Sequence, residues 1–67
     1  MKKSKNYFVH KSSIIDKGAK IGKATKIWHW CHISKKSVIG KKCVLGQNVY
    51  VGENVKIGNN VKIQNNV

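Results

Sequence analysis

The stretch Ile33-Ser34-Lys35-Lys36-Ser37-Val38-Ile39-Gly40-Lys41-Lys42-Cys43-Val44-Leu45-Gly46-Gln47-Asn48-Val49-Tyr50-Val51-Gly52-Glu53-Asn54-Val55-Lys56-Ile57 decides the fold. An aliphatic residue returns at every sixth position, and at the fourth place after each one comes a small or β-branched residue. Followed outward in both directions, the same step runs through Val9, Ile15, Ile21, Ile27, Ile33, Ile39, Leu45, Val51, Ile57 and Ile63. All ten positions are Ile, Leu or Val although only 17 of the 67 residues are of these types, so chance would give such a run roughly once in a hundred thousand trials. The companion positions are Ser13, Ala19, Thr25, Cys31, Ser37, Cys43, Val49, Val55, Val61 and Val67.

A helix of period 3.6 would scatter a six-residue repeat around its circumference, whereas a chain that turns a corner once per repeat keeps every aliphatic side chain inside one prism. One bulky and one compact inward residue per repeat suits a short strand followed by a corner. The third residue after the aliphatic is Gly18, Asn48, Asn54, Asn60 or Asn66 in five repeats, and these residue types tolerate the positive φ of a tight turn. Ser12, Ala24, Trp30, Lys36 and Lys42 hold that place in the others. The period therefore predicts an all-β fold, a single-stranded parallel β-helix. With three sides per turn, and so three repeats per coil, it would make about three triangular coils over 9–67, after a lead-in over 1–8. Neither the number of sides nor the hand follows from the period.

Composition narrows the setting. Fourteen lysines face only Asp16 and Glu53, for a formal charge of +12, which favours anionic partners without choosing among them. A codon bias toward Lys, Asn and Ile would give the same balance. The basic start Met1-Lys2-Lys3-Ser4-Lys5 leads into no apolar block, and no run reaches the length of a membrane span, so a cytoplasmic location is expected. Cys31 and Cys43 stand on different sides of a three-sided coil and are expected to be reduced packing residues.

Three segments give the sequence its likeness to a known group: Lys26-Ile27-Trp28-His29-Trp30-Cys31-His32-Ile33, Gly46-Gln47-Asn48-Val49-Tyr50-Val51-Gly52 and Asn60-Val61-Lys62-Ile63-Gln64-Asn65-Asn66-Val67. The repeat resembles the hexapeptide-repeat acyltransferase superfamily, and these segments resemble its nucleotide-sugar 3-N-acetyltransferases. That resemblance implies a left-handed β-helix working as a homotrimer, with acetyl-CoA as co-substrate. The acceptor it implies is the 3-amino group of a sugar carried on a nucleotide, an aminouronate on UDP or an amino-deoxyhexose on dTDP, used in surface polysaccharide assembly. Such enzymes continue for further coils that bind most of the acetyl-CoA, so the chain, which stops at the inward residue Val67, is expected to be the N-terminal portion of one and incomplete as a catalyst.

Stacking every third repeat makes columns, and the corner column Lys11, His29, Gln47, Asn65 is the best candidate site. A neutral imidazole at His29 would take the proton an attacking amine must lose, and the amides of Gln47 and Asn65 would orient sugar hydroxyls while nearby lysines neutralise diphosphate. Trp28 and Trp30 are expected to face outward and to stack on the base or pack a subunit contact. His32, in a flat-face column with Ile14 and Tyr50, is assigned with Tyr50 to an interface, and His10 to stacking on Trp28. For each histidine and tryptophan the competing reading is a surface or packing role.

Other classes fare worse. His29-x-x-His32 suggests a zinc pair, but the two side chains belong to a corner and a face with no acidic ligand expected nearby, so no metal is assigned. The charge and tryptophans suggest nucleic-acid binding, yet no recognition motif is present, and neither a specific nucleic acid nor a membrane is expected as a partner. A non-catalytic structural piece of such an enzyme is the alternative function.

Overall fold

A computed structural model describes residues 6–67, so residues 1–5 of the expected lead-in lie outside the described residues. Ten two-residue strands follow one another: β1 (Phe8–Val9), β2 (Ile14–Ile15), β3 (Lys20–Ile21), β4 (Lys26–Ile27), β5 (His32–Ile33), β6 (Val38–Ile39), β7 (Val44–Leu45), β8 (Tyr50–Val51), β9 (Lys56–Ile57) and β10 (Lys62–Ile63). They form three parallel sheets, β1-β4-β7-β10, β2-β5-β8 and β3-β6-β9, which are the three sides of a left-handed β-helix of about three coils. Ladder partners are always three repeats apart, as in Val9↔Ile27, Ile27↔Leu45 and Leu45↔Ile63.

The second residue of each strand is the repeat aliphatic, and it points inward because successive side chains on a strand alternate. Ile27, Ile33, Ile39 and Leu45, covered by coils on both sides, are at most 1% exposed, whereas Val9, Ile15, Ile21, Ile57 and Ile63 at the two ends are only partly buried. Each fully buried aliphatic contributes about 1.5–3 kcal/mol.

Corners require positive φ at Gly18, Ala24, Trp30, Lys36, Lys42, Asn48, Asn54, Asn60 and Asn66, always the third residue after the aliphatic. Asn and Gly adopt this region readily, while Ala24, Trp30 and Lys42 are held there by coil-to-coil hydrogen bonds from their own N–H groups, and Lys36 by the Ser37 N–H and Oγ bonds to Ser34 C=O that close its corner. Lys42 N–H, for example, donates to Lys23 C=O at 2.9 Å, as Asn60 N–H does to Lys41 C=O at 2.8 Å.

The compact inward residues bond as well as pack. Thr25 Oγ1 donates to Gly40 C=O at 2.6 Å and accepts from Cys43 N–H at 3.2 Å. Ser13 Oγ does the same for Trp28 C=O and Cys31 N–H. Both cysteines are free and buried, and their thiols take the donor half of that role toward Gly46 C=O at 2.9 Å and Gly58 C=O at 3.0 Å. These bonds satisfy corner carbonyls that the strand ladders leave over.

Gly22, Gly40 and Gly58 stack in one column. A Cβ at Gly22 would lie 2.5 Å from Gly40 backbone atoms, and one at Gly40 would lie 2.7 Å from Gly58, so the coils touch here through bare backbone.

Candidate functional site

The prism has three edges of different chemistry, because the three-repeat register gathers residues from successive coils. One edge carries residues 10–13, 28–31, 46–49 and 64–67, with His10, Lys11, Trp28, His29, Trp30, Gln47 and Asn65. The next, 16–19, 34–37 and 52–55, holds both acidic residues, Asp16 and Glu53. The third, 22–25, 40–43 and 58–61, bears Lys23, Lys41 and Lys42, flanked by Lys20, Lys56, Lys26 and Lys62 on the adjoining faces. Most lysines therefore sit away from His29. Of the lysines, Lys11 shares the edge of His29, with Lys26 and Lys62 on the neighbouring face.

His29 is half-buried, and its ring lies among other rings: His10 at 3.9 Å between centroids, Trp30 at 5.5 Å and Trp28 at 6.3 Å. Its ring nitrogens make no hydrogen bond among the described residues, which leaves them open to a ligand. Its backbone is fixed, since its C=O accepts Asn48 N–H at 3.0 Å. Trp28 and Trp30 are 37% and 60% exposed, as expected for outward indoles.

His10 differs from expectation. Its ring rests on His29 rather than on Trp28, and Trp28 pairs instead with Phe8 at 5.2 Å. The columns describe the backbone, but large corner side chains lean along the chain and meet partners one or two positions off their own column. Partial burial, then the charges of His29 and Lys11, hold the His10 pKa below its ordinary 6.5.

Gln47 is exposed, while Asn65 is partly committed: its Oδ1 accepts Gln47 N–H at 2.8 Å and sits over Gly46. Asn59 makes the equivalent bond to Lys41 N–H at 2.8 Å on the lysine edge. The amide is thus a repeated corner lock, and the Asn65 NH₂ makes no hydrogen bond among the described residues.

On the flat face, Ile14, His32 and Tyr50 align as expected, with His32 and Tyr50 edge to face at 5.7 Å. Ile14 and Tyr50 are 58% and 62% exposed. Contrary to the expectation that no acid lies near, His32 Nε2 meets Asp16 Oδ2 at 3.0 Å. That pairing crosses between neighbouring columns diagonally and escapes a reading made column by column. No group of three or more potential metal ligands forms, and no enclosed pocket, among the described residues. No helix among them is long and apolar enough to cross a membrane.

Residues 36–67 match a family described as bacterial transferase hexapeptide (six repeats). The match takes in Gln47, Tyr50 and Asn65 but not the Trp28–His32 run. No curated protein matches the chain.

Proposed function

From the repeat and left-handed β-helix fold of the hexapeptide-repeat acyltransferase superfamily, which this chain has, we propose an acyl-CoA-dependent N-acetyltransferase acting on the 3-amino group of a nucleotide-linked sugar for surface polysaccharide synthesis. The observation that carries this reading is His29: an outward imidazole with unengaged ring nitrogens, framed by two tryptophans and a lysine-bearing corner. As the amine attacks the thioester carbonyl of acetyl-CoA, a C–N bond forms and the C–S bond breaks. The proton leaves nitrogen for His29 and passes on to the departing thiolate.

Trp28 and Trp30 offer stacking surface to the base, Lys11 a charge for diphosphate, and Gln47 and the Asn65 NH₂ hydrogen bonds to sugar hydroxyls. The exposed rings and Ile14 also suit burial between copies, which supports a homotrimer with His32 and Tyr50 in the contact. The substrates are those of a cytoplasmic enzyme.

The test is acetyl transfer from acetyl-CoA to UDP- and dTDP-linked 3-amino sugars, followed as free thiol. His29→Asn should lower kcat by roughly 10²–10⁴ while leaving the fold unchanged. Full turnover by that variant would remove His29 from the chemistry.

A further inference from the structure

Nine corners of the β-helix turn through a residue of positive φ, but the corner at residues 10–13 does not: Ser12, in the equivalent position, stays outside that region. This corner adds side-chain bonds to a backbone one. Ser13 N–H donates to His10 C=O at 2.9 Å, and Ser12 N–H reaches His10 Nδ1 at 3.1 Å. Ser12 Oγ lies 2.9 Å from the same nitrogen and accepts Trp30 N–H, also at 2.9 Å, from the coil above. In the other corners of this edge the corresponding N–H goes to a backbone carbonyl, as Asn48 N–H goes to His29 and Asn66 N–H to Gln47.

The protonation state follows from these donors. A backbone N–H can only donate, so Nδ1 of His10 must present its lone pair, and the neutral ring carries its proton on Nε2. The Ser12 hydroxyl, accepting from Trp30, turns its own hydrogen toward the same Nδ1 lone pair, which it shares with Ser12 N–H. The result is one connected set, Trp30 N–H to Ser12 Oγ to His10 Nδ1, with the His10 ring lying 3.9 Å below the ring of His29.

We infer that His10 and Ser12 are positioning residues for His29: Ser12 fixes His10 as the Nε2–H tautomer and ties it to the corner that presents His29, and the neutral His10 ring is the plate on which the His29 ring rests. This rests on His29 acting as the base. The charged groups bearing on His10 are His29 above it and Lys11 beside it, both cationic when protonated. A proton on His10 would therefore cost it the Ser12 N–H bond and set a second positive charge beside that of Lys11.

Long-range ¹H–¹⁵N spectra of the full chain at pH 8 read the tautomer directly, and ring NOEs read the His10–His29 contact. The expected result is a pyridine-type Nδ1 at His10, kept in Ser12→Ala by the backbone N–H of residue 12, with the His10–His29 NOEs weakened in Ser12→Ala, where the Oγ tie to Trp30 N–H is gone, and restored in Ser12→Thr. In acetyl transfer, Ser12→Ala and His10→Asn should lower kcat roughly 10- to 100-fold with KM little changed, as misplacement of a base does. A protonated Nδ1 in the parent chain, or unchanged His10–His29 NOEs in Ser12→Ala, would overturn the inference. Should Ser12→Ala not fold, His10→Asn decides by its kcat and its pH profile, whose acid limb loses the His10 contribution. If the parent chain showed no acetyl transfer while tautomer and NOEs were as expected, the enzymatic reading would fail and the local geometry would stand.

Discussion

The stacked glycines allow a differential test within one column. At Gly40, an added Cβ would lie 2.7 Å from the carbonyl carbon and oxygen of Gly58, well inside the 3.4 Å where ordinary contact begins, and it would overlap Asn59 Oδ1 as well. The Gly58 backbone has little room to retreat: Gly40 N–H donates to Ile57 C=O, and Lys41 N–H to Asn59 Oδ1, both at 2.8 Å. Overpacking of this kind costs about 1–3 kcal/mol, and an obstacle made of backbone belongs at the upper end. Gly58 occupies the same column position, but a Cβ there meets nothing within 4 Å and its φ is not positive. Gly58→Ala should be neutral or stabilising by about 0.4–1 kcal/mol through the unfolded chain. In a domain of this size the Gly40→Ala penalty corresponds to a fall in Tm of roughly 10–20 °C. Thermal melts followed by circular dichroism on the two variants make the comparison, with matched protein concentration. Equal Tm shifts would refute the claim that coil-to-coil backbone contact is what requires glycine at position 40.

Three further outcomes follow from the same structure. Thr25→Val, close to isosteric, should lose about 1–3 kcal/mol in urea denaturation, because Gly40 C=O and Cys43 N–H both lose their partner in a buried corner. Ile39→Asp should abolish the fold, seen as loss of the β circular dichroism signal, since Ile39 is 1% exposed and an isolated carboxylate has no partner there. For pH, His10 binds its proton less readily folded than unfolded, so its contribution to stability is present above pH 6.5 and is lost as pH falls through the depressed folded value. His10→Asn should flatten that part of the stability–pH curve, and an unchanged curve would contradict the assignment.

The core was legible in the sequence because translational symmetry leaves no ambiguity: ten aliphatic positions repeat, and those ten are the inward residues of the ten strands. Corners at Gly18 and the four asparagines were legible from residue type, whereas those at Ala24, Trp30, Lys36 and Lys42 were not, since there the hydrogen bonds of the corner impose a conformation the residue itself disfavours. His29 and its tryptophans came out on one edge as the register requires. The Asp16–His32 pair and the His10–His29 contact did not, because long side chains reach diagonally and a column count follows only the backbone. Nor did the bonding role of Thr25 and the two cysteines, which as small inward residues read simply as space-fillers.

The constant three-repeat spacing of ladder partners bears on how the chain assembles. Each new coil closes a loop of the same modest length onto the one already formed, so the search for partners grows no harder as the stack lengthens. Growth of this kind is a one-dimensional zipper, with each coil templating the next and each interface contributing a comparable increment. Amide hydrogens on the strands around Ile33 and Ile39 should then exchange last, and protection should fall away coil by coil toward Val9 and Ile63.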